Sequence, residues 1–384
     1  MKKALIVASV ASMIEQFNMN NISILQELGY QVDVATNFLN PGTIDEKTLS
    51  QLKVRLNKLN VNCFQVDFPR GVGSIKVDRE CYKKLKTLSK NNYTLVHCHS
   101  PIGGVLTRLA FKNTKTKIIY TAHGFHFYKG GPIRDWLLFY PIEKYLSKYT
   151  DVLITINNED TSIAKKFSAK KTLQIPGVGV QKSKFNLITL DKNKVKQELG
   201  IGKDSTVMIS VGELRDLKNH ITGIKALAHL NKSVYYIICG SGELKRSLVY
   251  EAEKLGVANR VIFTGYTTEL SKYFAISDIS LFLSKREGLG LAGLEAMAAG
   301  IPLISSYVGG IKDYTENGKT GFTILDPVDF MSVKNAINKW INLNQDKKNE
   351  MSAYCKIIAN KYSQENVNKV MNKIYKDSIN YIPK

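Results

Sequence analysis

The chain has 384 residues, 44% hydrophobic and 23% charged, a balance that excludes disordered and low-complexity proteins and leaves room for two ordinary domains. Its net charge is +21, with +12 in residues 1–180 and +9 in the rest, so the basicity is not confined to a tail. Such a charge suits phosphorylated substrates, anionic membrane or nucleic acid without choosing among them.

Five scattered cysteines with no C-x-x-C indicate neither a disulfide framework nor a zinc site. The start, MKKALIVASVASM, has the outline of a secretory leader. It runs straight into a helical segment and a second strand, so it reads as the first strand of a βαβ unit in a cytoplasmic protein. No apolar stretch reaches the ~18 residues of a membrane-spanning helix.

Residues 4–10 form a continuous apolar run, the pattern of a buried parallel strand. Residues 14–28 place Ile14, Phe17, Ile22, Leu25 and Leu28 at helical spacing, closed by Gly29, and residues 31–36 read as the next strand. The loop at 8–13 lacks G-x-G-x-x-G, which argues against a dehydrogenase. Helices at 49–59 and 81–88 alternate with strands at 62–66 and 94–97, which predicts a doubly wound α/β sheet.

His97-Cys98-His99 puts two imidazoles on one strand face. No third ligand is evident nearby, so a structural role is preferred to a metal site. Ser100-Pro101 leads into a helix over 103–111. A strand at 117–121 ends in Ala122-His123-Gly124, and His123 either faces a ligand beyond the sheet or is satisfied by backbone. Residues 132–149 mix Trp136, Leu137, Phe139, Tyr140, Ile142, Tyr145 and Leu146 with Arg134, Lys144 and Lys148. Packing on the sheet is preferred to a membrane interface. A strand at 151–155, a helix at 158–167 and a strand at 173–175 lead to the turn Pro176-Gly177-Val178-Gly179.

From Lys182 the chain is polar, with a helix predicted over 191–199 and a strand over 207–211. A charged loop, GELRDLKNH, follows at 212–220. A strand at 235–239 ends in Gly240-Ser241-Gly242, an anion-tolerant turn before a helix at 243–254. Strands at 260–264 and 279–284 precede the stretch REGLGLAGLEAMAAGIPLISSYVGG at 286–310, and a terminal helix is predicted over 361–378.

In that stretch Gly288 and Gly290 allow close backbone approach just before a helix N-terminus, where N–H groups favour anions. Glu295 is the one charge in the apolar helix, so it is expected in a dry second turn where a vicinal diol would satisfy it. A glycine-rich turn into a core helix, with Glu295 paired to a lysine, explains the same residues equally well.

Glu287 and Glu295 enclose seven residues, E-G-L-G-L-A-G-L-E, followed by A-M-A-A-G-I-P-L-I. This resembles the E-x7-E signature of retaining glycosyltransferases of the GT-B fold, family 4 type, which use nucleotide-sugar donors. Ser284, Gly300, Pro302 and Gly309-Gly310 also fall where that family has them. The resemblance implies that Glu295 holds the ribose diol and that Glu287 lies beside the donor sugar. TAHGFHFYKG is similar to the family's T-x-H-G loop, which assigns His123 to the donor sugar. GELRDLKNH resembles the G-R-L-x-x-x-K-G phosphate loop, in which Lys218 meets the diphosphate. Glu213 stands where arginine is usual, and Arg215 is expected to supply the missing charge.

The expected fold is therefore α/β, with two Rossmann-like doubly wound domains facing a cleft. An acceptor-side domain spans 1–179, a nucleotide-sugar domain spans 180–360, and a helix at 361–384 crosses back to the first. The expected reaction retains configuration and moves a hexose or N-acetylhexosamine from a nucleotide sugar, expected to be a UDP-sugar. The acceptor is expected to be a lipid-linked saccharide in capsule or exopolysaccharide assembly. His123 and Glu287 are the catalytic candidates. Gly212, Arg215, Lys218, Gly240, Gly288, Leu289, Gly290, Leu291 and Glu295 are the binding candidates. The metal signature D-x-D does not occur, so metal-independent transfer with no cofactor beyond the donor is expected. Peripheral contact with anionic membrane at the inner face of the plasma membrane is allowed for. A nucleotide-sugar epimerase is the alternative on the same fold. A basic nucleic-acid-binding protein is the alternative of another class, and no aromatic-basic recognition motif supports it.

Overall fold

The computed structural model describes residues 2–69, 71, 74–99, 101–181, 185 and 190–380, with side chains to residue 378. Ser100 and Lys182, where a helix lead-in and a polar segment are expected, lie outside the described residues. The chain divides into two units, residues 1–178 with 367–384 and residues 179–366.

The first unit is built on seven parallel strands: β1 (Lys2–Val7), β2 (Tyr30–Thr36), β3 (Asn62–Gln65), β4 (Leu95–His99), β5 (Lys117–Ala122), β6 (Val152–Thr155) and β7 (Lys171–Gln174). Their order is β3-β2-β1-β4-β5-β6-β7. Helices cover both faces, so the central strands are apolar without alternation, and Ala4 to Val7 are fully buried. The order reverses between β1 and β4, whose carboxyl ends mark the switch point where doubly wound sheets bind ligands.

The predicted helix over 14–28 is broken. Ala11–Met13 is α-helical, Ile14–Asn18 forms a π-turn, and Met19–Glu27 resumes the α-helix. Such turns insert one residue per ring and frequently mark functional sites. Here the π-turn sets Phe17 against the His123 ring, with centroids 5.7 Å apart.

The helix Ile133–Ser147 packs against its own unit but carries a charged residue on its inner face. Its inner face carries Trp136, Phe139, Tyr140 and Leu146 together with Glu143, which is 7% exposed. Ile133, Leu137, Leu138, Ile142 and Tyr145 point outward. The cause is Arg108, fully buried on the helix Pro101–Phe111. It donates to the Glu143 carboxylate at 2.8 Å and lies 4.0 Å from the Tyr120 ring centre, while the Tyr120 hydroxyl donates to the other Glu143 oxygen at 3.1 Å. A buried guanidinium needs a buried carboxylate, so the helix turns its glutamate inward.

The second unit is built on six parallel strands: β8 (Thr206–Val211), β9 (Val234–Cys239), β10 (Val261–Gly265), β11 (Ile279–Phe282), β12 (Leu303–Ser306) and β13 (Gly321–Ile324). Their order is β10-β9-β8-β11-β12-β13, with the switch between β8 and β11. Tyr236, Ile224, Leu227, Leu281 and Ile337 are among its core residues.

The terminal helix expected over 361–378 is Gln364–Asn380, and a second helix, Gln345–Lys361, precedes it. They are interrupted where Gln364 N–H bonds the Val180 carbonyl and Val180 N–H bonds that of Tyr362. From Val367 onward the last helix belongs to the first unit, where Tyr375 is fully buried.

Candidate active site

In the second unit the loops after β8 and β11 emerge side by side at the switch point. The ammonium of Lys218 forms an ion pair with Glu287, and the Ser284 hydroxyl donates to the same carboxylate oxygen at 2.8 Å. A further bridge of 2.6 Å links Lys285 to Asp216, and the Lys285 amide donates to the Leu217 carbonyl. The charged loop at 212–220 and the segment 284–287 are thus fastened together by two ion pairs and a backbone hydrogen bond.

Asn219, at the place of the phosphate motif's last glycine, takes φ 58, a left-handed conformation that asparagine tolerates. Its amide donates to the Leu283 and Pro327 carbonyls, so the turn is held from both sides. His220, which opens the next helix, is 5% exposed and lies against the Gly212–Glu213 backbone without a well-formed hydrogen bond. Burial pushes its pKa down to about 4.

Gly290 caps the helix Leu291–Ala298 at φ 85. A Cβ there would lie 2.5 Å from the Phe282 ring, so both conformation and space demand glycine. The Tyr314 hydroxyl donates to the Gly290 carbonyl at 3.1 Å and fixes the cap. Gly309 and Gly310 nest against this turn: a Cβ on either would meet the Glu287 or Gly288 carbonyl oxygen at 2.1 Å. The Gly288–Leu291 backbone is therefore a rigid platform. Leu289 buries its side chain, at 4% exposure, so only its main chain is offered.

Glu295 departs from expectation. It is half-buried, not dry, because one flank of its helix is only partly covered. Arg215 is 60% exposed and lies 3.5 Å from Glu213, with a cationic head on the solvent side of the loop. At Gly240 a Cβ would meet the Gly212 carbonyl oxygen at 1.9 Å, so close approach of two loops accounts for Gly240, whereas a Cβ on Gly212 would make ordinary contact with Lys218.

In the first unit the carboxyl ends of β4 and β5 hold three histidines. His123 joins the pair from the end of the next strand, its Nε2 3.1 Å from His99 Nδ1. Parallel pairing puts Thr121 opposite His99, so a residue two positions further on reaches back over the strand end. His97 is bonded at both nitrogens, to the Tyr375 hydroxyl at 2.7 Å and the Thr121 hydroxyl at 2.8 Å, and its ring lies 4.0 Å from that of His99. Burial drives all three pKa values down, to about 3 for His97, well below the ordinary value for His99 and to about 4 for His123. These rings are neutral at physiological pH. Among the described residues no group of three or more His, Cys, Asp or Glu side chains, this cluster included, is arranged so that it could hold a metal ion. His126 is exposed and its ring packs 4.7 Å from that of Phe139.

Sequence patterns did not reveal the Lys218–Glu287 pair, the His99–His123 contact or the Phe17 wall. Each joins residues distant in sequence. The available signal was strand order, since the loops that follow adjacent strands at a switch point must meet.

Residues 5–157 match the glycosyl transferase 4-like family and residues 191–377 the glycosyl transferases group 1 family. The chain is 34% identical to the protein named “Putative glycosyltransferase EpsD” of Bacillus subtilis (strain 168), over 84% of this chain and 83% of that one. It is 29% identical to UDP-Gal:alpha-D-GlcNAc-diphosphoundecaprenol alpha-1,3-galactosyltransferase of Escherichia coli, over 75% and 76%. Among solved structures, HepE of Anabaena in complex with UDP and glucose superposes with a TM-score of 0.76 at 19% identity, covering 98% of this chain and 100% of that one. At that identity the likeness shows the fold, and the two doubly wound units are those of GT-B. Matched along most of its length, the chain belongs to the group 1, family 4-type glycosyltransferases.

Proposed function

We propose that the protein is a retaining, metal-independent glycosyltransferase. It would move a hexose or N-acetylhexosamine from a UDP-sugar to a lipid-diphosphate-linked saccharide during capsule or exopolysaccharide assembly. One observation carries this reading. Lys218 and Glu287, 69 positions apart, meet beside a glycine-capped helix N-terminus whose second turn bears Glu295. A diphosphate needs cations and amide dipoles, and a nucleoside and a sugar need acceptors at opposite ends of it.

On this reading the diphosphate takes Lys218 away from Glu287. The freed carboxylate turns to the donor sugar while Glu295 accepts from the ribose hydroxyls. As the glycosidic bond breaks, negative charge grows on the leaving phosphate, where Lys218, Arg215 and the N–H groups at Gly290 and Leu291 stabilise it. These groups do the work a divalent ion would otherwise do. The departing oxygen accepts the acceptor's proton on the same face, which retains configuration. His123, neutral, hydrogen-bonds and cannot act as a cationic acid.

A lipid-linked acceptor requires a membrane surface. The outward face of the helix Ile133–Ser147 supports peripheral binding at the inner leaflet: Ile133 and Leu137 are more than 70% exposed, and Arg134, Lys144 and Lys148 border them. Apolar side chains framed by cations suit an anionic bilayer.

The test is a panel of UDP-, GDP- and ADP-sugars assayed for donor hydrolysis, then for transfer to a lipid-diphosphate saccharide with and without EDTA. A UDP-sugar should be consumed, with EDTA harmless and the anomeric configuration kept. Rescue of an EDTA-dead enzyme by Mg²⁺ or Mn²⁺ would overturn metal independence. An epimerised donor formed without acceptor would replace transfer by epimerisation. Vesicles containing phosphatidylglycerol should bind the protein and release it on Leu137→Asp with Leu138→Asp.

A further inference from the structure

His99 is 2% exposed and lies between two imidazoles, packed at a tilt against His97 and bonded through Nδ1 to His123 Nε2 at 3.1 Å. Both nitrogens of His97 are already engaged, so that ring is a fixed wall. His99 Nε2 is buried and has no hydrogen-bond partner. His123 Nδ1 forms no hydrogen bond and is not sealed from solvent, unlike the buried atoms that lack partners.

Between two neutral rings joined by one hydrogen bond, a single proton sits in the contact, and two arrangements are available. In one, His123 Nε2–H donates to His99 Nδ1. The proton of His99 is then on Nε2, a buried N–H with nothing to accept it, and such orphaned donors are rare. In the other, His99 Nδ1–H donates to His123 Nε2. His99 then buries only a bare lone pair, the cheaper defect, and His123 carries its proton on the open Nδ1.

The geometry points to His99 as a positioning residue that locks His123 in the Nδ1–H tautomer, making it an obligate hydrogen-bond donor on its solvent-reachable edge. The ligand group that edge accommodates is an acceptor, such as a sugar hydroxyl or ring oxygen. The Phe17 ring on the other side restricts rotation of the imidazole. A partner that fixes the tautomer of a working imidazole governs turnover without touching substrate. The consequence for turnover rests on the proposed glycosyl transfer; the tautomer does not.

The experiment is ¹⁵N-histidine NMR of the full chain, whose six histidines can be assigned by substitution. In the wild type His123 should show a protonated Nδ1 and a bare Nε2, and His99 the same pattern. His99→Leu should let the His123 tautomers mix and lower kcat by roughly 10²-fold, with a smaller change in KM. His99→Asn places an amide N–H near the former Nδ1 and should restore both the tautomer and most of the turnover. A wild-type His123 protonated on Nε2, or a His99 protonated on Nε2, would overturn the proposal. So would an unchanged His123 tautomer in His99→Leu. The expected tautomers in a protein that transfers no sugar would leave this assignment standing and remove the proposed reaction instead.

Discussion

Both units place polar residues at the carboxyl ends of adjacent parallel strands, but they solve opposite electrostatic problems. The first gathers His97, His99 and His123 into a neutral, largely buried cluster and keeps the buried ion pair Arg108–Glu143 within the sheet-and-helix layer. The second gathers Lys218, Glu287, Lys285 and Asp216 into a charged cluster open enough to exchange partners. A neutral cluster derives its precision from hydrogen-bond direction. A charged one derives its affinity from ion exchange, and it needs glycines so that the backbone can come close.

The largest separation between the units should come from acid. An imidazole whose folded pKa lies below its unfolded value stabilises fully above pH ~6.5 and loses that contribution as the pH falls towards the folded value. The first unit has three such groups and the second one, His220, among the described residues. Near pH 5 these imidazoles should cost the first unit roughly 4 kcal/mol per pH unit and the second roughly 1.4 kcal/mol. The chain's two tryptophans fall one to each unit, Trp136 and Trp340, so single-tryptophan variants report the units separately. The Trp136 transition should move to lower temperature first on acidification. Equal shifts would mean the histidine cluster is not neutral when folded.

Glu143→Ala should destabilise the first unit by about 3–5 kcal/mol, because it strands a buried guanidinium. Lys218→Ala should do the reverse in the second unit. Stability should change by no more than about 1 kcal/mol, as for a partly exposed pair, while turnover falls roughly 10²–10³-fold. Calorimetry and initial rates check both substitutions. A Lys218→Ala protein that melts early but turns over normally would make the pair structural.

Gly290→Ala should cost about 2 kcal/mol or more, from left-handed strain together with contact with Phe282. Gly256→Ala, at φ 68 with open space around it, should cost only about 1 kcal/mol. Thermal melts of the two variants should differ in that order, and only Gly290→Ala should weaken nucleotide binding.

The same contrast explains what was legible in the sequence. The glycine platform and the glutamate spacing lie within one contiguous stretch, so their local geometry could be read directly, as could both parallel sheets. The half-exposure of Glu295 could not, since it depends on how neighbouring elements cover one flank of a helix. The histidine cluster was hidden because it depends on register, which places His123 two residues beyond the partner of His99. Which face of Ile133–Ser147 turns outward was hidden for a related reason. Its amphipathic pattern has two apolar sides, and the choice between them was made by Arg108, on another helix. The π-turn at Ile14–Asn18 leaves no periodic signature at all.

The most direct test is calorimetric titration of UDP, GDP and ADP into the wild type, Lys218→Ala and Glu295→Gln. One nucleotide should bind the wild type and lose at least tenfold in affinity in each variant, Lys218 through the diphosphate and Glu295 through the ribose. Equal affinity in all three proteins, or no binding of any nucleoside diphosphate, would contradict the assignment of the donor site to the second unit.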